Sequence, residues 1–170
     1  MPLTGIANAA VDIVAADPGG FAAALVHYGQ SDLTCYRAEG PQPLVARQVA
    51  AWEPPLKAIE ARHGLLFRRT AGVMHVEQPD DTLERLRAVL DGLSPWQMAP
   101  LQPLVTLSGS VVLALSVLHG LLEAEAAFAA GHLDDLWQSE HWGSDALAEA
   151  DRAARWQQFA AAARFLKLLD

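Results

Sequence analysis

The segment from Val105 to Leu122 constrains the fold most, because it is almost entirely apolar and about as long as a membrane-spanning helix. Small and polar residues interrupt the run, and no Lys or Arg flanks it as an interfacial anchor would. The interrupting residues are Thr106, Ser108, Gly109, Ser110, Ser116 and His119. We therefore interpret the segment as the central buried helix of a helical bundle, and we expect no membrane insertion.

Helical periodicity covers most of the remaining chain. The segments with this pattern are 3–16, 21–28, 43–52, 56–63, 79–93, 121–130 and 145–169. Pro54 and Pro55 either stop the helix before them or form the first turn of the next one. Residues 65–77 resemble two short strands around a turn at 70–72. The predicted fold class is mainly α (α+β), a helical domain with a small β-hairpin, in which residues 1–170 form a single domain.

Acidic residues exceed basic ones, so the chain carries a net charge of −8. Nucleic acids and anionic membranes are recognised by clustered Lys and Arg, so we expect neither as a partner. The single cysteine, Cys35, excludes an intrachain disulfide. The N-terminal residues 1–4 lack a basic secretory signal and an Arg-rich transit signal. We therefore expect an unexported, cytoplasmic protein.

The most informative stretch for function is 133–145, which reads as a helix followed by a break. Asp135, Gln138 and Trp142 fall at i, i+3 and i+7, on one helical face. Leu133, Leu136 and Trp137 fall on the neighbouring face, Gly143 ends the helix, and Ser144 or Asp145 caps the next one. Aromatic residues beside an amide and acidic groups are typical of a protein-binding surface. The alternative is that both Trp side chains belong to the core.

Chemical motifs are few. The six histidines do not pair at i+3 or i+4, and no HExxH, CxxC, phosphate-binding loop or dinucleotide fingerprint occurs, so we expect no metal or cofactor. One alternative function is a small enzyme that uses Cys35 as a nucleophile. Another uses the acidic strip of Asp134 and Asp135, with Glu140 as a second carboxylate. A third alternative is a purely structural helical module.

Arg37 follows Cys35 in a short extended segment. Its guanidinium has a fork geometry suited to a carboxylate or to backbone carbonyls of a partner. The other interpretation is an internal clamp between helices, since buried groups of this kind are usually paired.

Several motifs, in the order in which they occur, resemble the ATP synthase assembly factor 2 family. They are Asp32-Leu33-x-Cys35-Tyr36-Arg37-Ala38, Gln48, Trp52-x-Pro54, Ser108-Gly109-Ser110 and Asp134-Asp135-x-Trp137-Gln138-x-x-x-Trp142-Gly143-x-Asp145. The resemblance covers almost the whole chain, including residues 2–8. It implies a chaperone that binds the free alpha subunit of the F1-ATPase catalytic head and shields the surface that beta will cover.

The resemblance also implies which residues contact the partner, and it requires no cofactor, metal or small-molecule substrate. The implied partner-binding residues are Asp134, Asp135, Trp137, Gln138, Trp142, Gly143, Asp145 and Arg37. The family usually carries Asp-Glu where this chain has Asp134-Asp135, and Trp-Asp-Pro-Leu where it has residues 52–55. The family's N-terminal β-rich domain is expected to be absent from these residues. Family members occur in bacteria and in the mitochondrial matrix.

Overall fold

The computed structural model describes residues 1–170 and is mainly helical, which confirms the predicted fold class. The helices are α1 (Pro2–Ala9), α2 (Pro18–Gln30), α3 (Gln42–His63), α4 (Asp80–Asp91), α5 (Pro95–Ser108), α6 (Val111–Leu118), α7 (Ala124–Gly131), α8 (Leu133–Trp142) and α9 (Ala146–Lys167). A π-helical segment, Ala10–Val14, follows α1, and a 3₁₀ turn, Leu33–Cys35, follows α2. The two strands are β1 (Tyr36–Arg37) and β2 (Thr70–Ala71).

The predicted β-hairpin is wrong, because β1 and β2 pair in parallel and α3 forms the crossover between them. Residues 65–69 and 73–77 do not form a ladder with each other. The Gln78 side chain takes the place of a strand partner for Arg68. Its Oε1 accepts from the Arg68 N–H at 2.7 Å, and its Nε2 donates to the Arg68 carbonyl at 3.0 Å. This amide therefore closes the segment without a second strand.

The core is built around α5, whose side chains Leu101, Leu104 and Val105 are fully buried. The prediction of one helix over 105–122 is wrong, because the apolar run breaks between α5 and α6. Gly109 adopts a left-handed φ of 73°, which ends α5. The next residue, Ser110, caps α6 by accepting from the Leu113 N–H at 3.0 Å.

Close backbone contact explains the small residues at this break. A Cβ placed on Gly131 of α7 would lie 2.9 Å from Ser108 Cα, so only glycine allows α7 to approach α5 this closely.

No single helix is long and apolar enough to cross a bilayer. One pair of consecutive helical segments, Pro2–Val14 and Pro18–Cys35, has the length and composition of a membrane span, but the pair is bent by 112°.

Helix α3 runs without interruption through Pro54 and Pro55. A proline lacks the N–H that would bond to the carbonyl one turn earlier, which here leaves the carbonyls of Ala50 and Ala51 without helical partners. Both of these residues reach solvent, which can hydrate their carbonyls. The helix therefore accommodates both prolines at a point where the two residues that lose their helical donors are not buried.

A buried carboxylate, Asp32, ties the turn after α2 to the start of α6. It receives four hydrogen bonds: from the Thr34 N–H and hydroxyl at 3.0 and 2.7 Å, the Ser110 hydroxyl at 2.7 Å and the Val112 N–H at 3.1 Å. Burial raises the pKa of Asp32, and these donors act in the opposite direction. The side chain thus cross-links two parts of the chain that are distant in sequence.

Two histidines meet where α3 and α6 end. His63 Nε2 and His119 Nε2 lie 2.9 Å apart, so one ring donates and the other accepts. Partial burial lowers the pKa of His63, and lowers that of His119 to about 4, with the charge of Arg62 acting in the same direction. The contact therefore requires at least one neutral imidazole to accept the hydrogen bond.

We expect Asp32→Asn to destabilise the fold by about 2–4 kcal/mol, because its amide nitrogen would face a donor in a buried site. Urea unfolding followed by circular dichroism measures the change. Asp12→Asn, at an exposed aspartate in the π-helical segment, is the matched control and should change stability by less than about 0.5 kcal/mol. Equal effects of the two substitutions would contradict the role of Asp32.

We expect the fold to lose stability as the pH falls from about 6.5 towards about 4, because the unfolded chain binds protons that folded His63 and His119 do not. Solvent screening at these half-buried sites limits the effect to about 1 kcal/mol. Denaturant unfolding at about pH 7.5 and about pH 5 should show a smaller difference for a His63→Gln, His119→Gln variant. The exposed control His27→Gln should behave as the wild type.

Candidate functional site

Helix α8 carries most of the predicted site residues, and a second cluster of buried side chains anchors it. Leu133 and Trp137 point inward and pack in a cluster with α3 and α6. The other buried members of this cluster are Leu44, Trp52, Leu113 and Ala130. Trp52 Nε1 donates to the Ala130 carbonyl at 2.8 Å, which ties α3 to α7 just before α8 begins. This anchoring leaves the opposite face of α8 in solvent.

The two tryptophans of α8 have different environments. Trp137 is 8% exposed and belongs to the core, whereas Trp142 is 80% exposed. Gly143 ends the helix with a φ of 81°, and Asp145 Oδ1 caps α9 by accepting from the Ala148 N–H at 2.7 Å. The structure therefore confirms the predicted break and cap. It also places Asp135, Gln138 and Trp142 on the exposed part of α8.

A groove of about 450 Å³ runs between α8, the first half of α3, residues 36–40 and the turn at 72–73. The predicted site residues that line it are Arg37, Asp134, Trp137 and Gln138. The structure thus brings Arg37 next to α8, although the two are far apart in sequence. Trp142, Gly143 and Asp145 lie outside the groove, beyond the end of α8.

A second groove, of about 300 Å³, separates α8 from α9. Asp135 lines this groove together with Arg152 and Arg155, and Gln138 lines both grooves. Arg152 donates to the Ser139 hydroxyl at 3.1 Å, and Arg155 pairs with Asp151. The neighbouring carboxylates Asp134 and Asp135 therefore face different environments, which their adjacent positions in the sequence do not reveal.

Gln48 of α3 organises the base of the first groove. Its side chain is 2% exposed, and its Oε1 accepts from the Ala38 N–H at 2.8 Å. Its Nε2 donates to Asp134 Oδ1, also at 2.8 Å. One amide therefore fixes Asp134 relative to the backbone beside β1.

Arg47, also on α3, contacts Glu140 and Trp137 of α8. Its Nη1 lies 2.8 Å from Glu140 Oε2, and its guanidinium carbon lies 5.0 Å from the Trp137 ring centroid. His141 also stacks on Trp137, with the two ring centroids 4.0 Å apart. These contacts orient α8 and offset the charge of Glu140, whereas Asp135 has no ion-pair partner.

Arg37 is an internal clamp, as one of the two interpretations predicts. Its Nη2 lies 2.7 Å from Glu53 Oε2, and its Nε donates to the Thr34 carbonyl at 3.2 Å. Its side chain is only 12% exposed. The hydrogen bond from Arg37 lowers the pKa of Glu53, which also accepts from Arg69 at 2.9 Å. Arg37 therefore lines the groove with its charge already paired.

The structure does not support the two enzyme alternatives. The Cys35 thiol is fully buried, and burial raises its pKa to about 12, so it does not form a thiolate near neutral pH. No histidine is hydrogen-bonded to it. In the acidic strip, Asp134 accepts from Gln48 and Glu140 pairs with Arg47, so these carboxylates do not converge on one point.

The groove is also lined by residues that the sequence interpretation did not select as partner-binding, among them Glu39, Leu44 and Val73. Val73 is fully exposed, and the next residue, Met74, is 77% exposed. Sequence patterns assigned both to a hairpin, and only the tertiary fold brings this turn to α8. The sequence signal that could have indicated an exposed loop is the pair of apolar side chains, Val73 and Met74, directly after the turn glycine Gly72.

Comparison with known proteins gives consistent matches. The family model described as ATP12 chaperone protein matches residues 1–60. The mitochondrial protein atp12 of the fission yeast Schizosaccharomyces pombe is 30% identical over 104 residues, which cover 59% of this chain and 36% of the yeast protein. The chain thus spans about a third of that curated relative's length.

Solved structures match the whole chain. Atp12 from Paracoccus denitrificans superposes with a TM-score of 0.95 at 38% identity, covering 100% of this chain and 73% of that one. An aspartate-to-lysine variant of the Paracoccus protein gives the same values. A protein of Agrobacterium tumefaciens described as a candidate chaperone superposes with a TM-score of 0.92 at 36% identity, covering 100% of this chain and 64% of that one.

We expect Trp142→Ala to leave the free energy of unfolding within about 0.5 kcal/mol of the wild type, because the ring is largely exposed. Trp137→Ala, one and a half turns earlier, should cost about 3–5 kcal/mol, because it empties a buried site. Denaturant unfolding measures both. A large loss of stability in the Trp142 variant would support the structural-module alternative.

Proposed function

The chain belongs to the ATP12 chaperone family, and from this membership we propose that it assists assembly of the ATP synthase catalytic head by binding the free alpha subunit. The complex shields the surface of alpha that beta will cover, and it dissociates when beta arrives. The observation that carries this proposal is the exposed face of α8, where Trp142, Asp135 and Gln138 lie in solvent on a rigidly anchored helix.

The composition of this face suits a temporary complex. Trp142 supplies apolar area that water covers poorly, and Gln138 supplies an amide that can both donate and accept. Tertiary contacts already hold α8 in place, so binding orders few additional groups. A small aromatic patch with a polar rim favours a complex that another subunit can displace.

The exposed face of α8 carries negative charge, which favours a partner surface with basic groups. The chain carries a net charge of −8, and Asp135 adds an unpaired carboxylate to the exposed part of α8. A partner surface with basic groups would be attracted to it and oriented by it. Because these charges are exposed, the association rate should fall as the salt concentration rises.

The proposed activity involves no bond-making by this chain. Its matched relatives include proteins named as chaperones, and its one cysteine is buried with a raised pKa. We propose that residues 1–170 act as one helical chaperone domain that needs no metal, nucleotide or other cofactor. The proposed location is the bacterial cytoplasm, whereas the fission yeast relative is mitochondrial.

We expect the double variant Asp135→Lys, Gln138→Ala to capture at least about tenfold less isolated alpha subunit than the wild type, because it reverses one charge and removes one amide from the face. Pull-down with purified alpha measures capture, and melting curves test the fold. Glu84→Lys makes the same charge reversal at an exposed position on α4 and should capture normally. Unchanged capture by the double variant would refute the site.

Light scattering separates a chaperone from a simple binder. Isolated alpha exposes apolar surface and should aggregate on warming. An equimolar amount of this protein should suppress that aggregation. Adding beta should then release this protein from alpha. Equal aggregation with and without this protein would refute the proposed function.

A further inference from the structure

The groove between α8 and α9 contains one free charge of each sign. Asp135, on the α8 wall, forms neither an ion pair nor a side-chain hydrogen bond within the chain. Arg152, on the α9 wall, donates to the Ser139 hydroxyl at 3.1 Å and pairs with no carboxylate. The other two charges of the groove, Arg155 and Asp151, pair with each other. Asp135 and Arg152 are therefore both available to a partner.

A buried histidine adds a second acceptor beside Asp135. His132 is 4% exposed and lines the same groove. Its Nδ1 lies 2.9 Å from the Phe128 carbonyl, which can only accept, so Nδ1 carries the proton. Burial lowers the pKa of His132, so the ring is neutral near pH 7 and its Nε2 is an acceptor. Nε2 has no partner in the chain, and no unpartnered side-chain nitrogen is sealed from solvent, so Nε2 reaches the groove.

Helical spacing orders these groups along the groove. His132, Asp135 and Ser139 fall at i, i+3 and i+7, on one face of the segment that forms α8. Ser139, which holds Arg152, lies four residues after Asp135, or about 6 Å along the helix axis. The two acceptors therefore lie towards one end of the groove, and the free guanidinium lies towards the other.

The free guanidinium changes which partner the groove favours. The net charge of −8 alone would favour a uniformly basic surface. Arg152 would repel such a surface, whereas its planar fork can bind a carboxylate through two N–H groups. The Arg152 side chain is only partly exposed, so a charge pair formed there is screened less than one in open solvent. The groove therefore favours a surface that carries both signs of charge.

We propose that the α8–α9 groove binds two side chains of opposite charge from the captured partner, spaced about 6 Å apart. The partner's carboxylate pairs with Arg152. Its Lys or Arg pairs with Asp135 and donates to His132 Nε2. This inference rests on the proposed function, because it takes both side chains to belong to the alpha subunit. It adds Arg152 and His132 to the contact residues and gives the complex one orientation.

Capture of purified alpha in a pull-down tests the contribution of Arg152. Arg152→Glu should capture at least about tenfold less alpha than the wild type, because it places a carboxylate against the partner's carboxylate. Arg164→Glu makes the same charge reversal at an exposed position of α9 outside the groove and should capture normally. Melting curves show whether each variant is folded.

A double reversal separates orientation from net charge. Asp135→Arg with Arg152→Asp leaves the net charge at −8 but exchanges the two signs along the groove. This variant should also capture at least about tenfold less alpha. Capture at the wild-type level would overturn the proposal, because the partner would then respond to net charge alone.

Chemical modification of the wild type gives a readout that does not depend on the variants. Phenylglyoxal reacts with accessible guanidinium groups, and mass spectrometry of a digest reports each arginine separately. Alpha should slow modification of Arg152 at least about fivefold and leave Arg164 unchanged, so a misfolded Arg152→Glu variant would not prevent a decision. The proposal is overturned if alpha leaves the rate at Arg152 unchanged. It is also overturned if raising the concentration of this protein alone protects Arg152, because a second copy would then occupy the groove.

The wild-type result separates the two proposals. If the wild type captures alpha and folded Arg152→Glu captures it equally, the proposed function stands and the groove is not where the partner's charges bind. If the wild type captures no alpha, the proposed function fails, and the assignment of this groove to alpha fails with it.

Discussion

The buried carboxylate of Asp32 holds together the two halves of this fold. Its oxygens accept from Thr34 on one side and from Ser110 and Val112 on the other. A charge in the interior is costly unless it is fully hydrogen-bonded, so both partner segments must adopt their native turns at once. The position of β1, which begins two residues after Thr34, depends on this arrangement. The groove beside β1 depends on it in turn.

A short series of contacts connects β1 to the candidate site on α8. The backbone beside β1 binds the Gln48 amide, and the same amide binds Asp134 on α8. Trp137 then fixes the inner face of α8 in the second cluster. The candidate functional face is exposed and polar, but its support is buried and fully paired. A surface that must meet a partner in one orientation requires this division between support and contact.

Sequence reasoning predicted the elements better than their arrangement. The i, i+3, i+7 spacing of Asp135, Gln138 and Trp142 correctly indicated one exposed face of α8, because helical periodicity is local. The same spacing put Trp137 on the neighbouring face, but it could not tell whether one tryptophan or both are buried, since burial depends on α3 and α6. The hairpin prediction failed because two apolar runs around Gly72 also fit a parallel pair with a distant strand. The break at Gly109 was missed because apolar composition outweighed a single left-handed glycine.

The separation in sequence between Asp32 and its partners affects how the protein is made. Ser110 follows Asp32 by 78 residues, and β2 follows β1 only after the 22 residues of α3. On a ribosome, the carboxylate therefore emerges long before its last donors and keeps its hydration shell until they arrive. Contacts between such distant residues form slowly. Final closure of this core thus waits until α6 has left the exit tunnel.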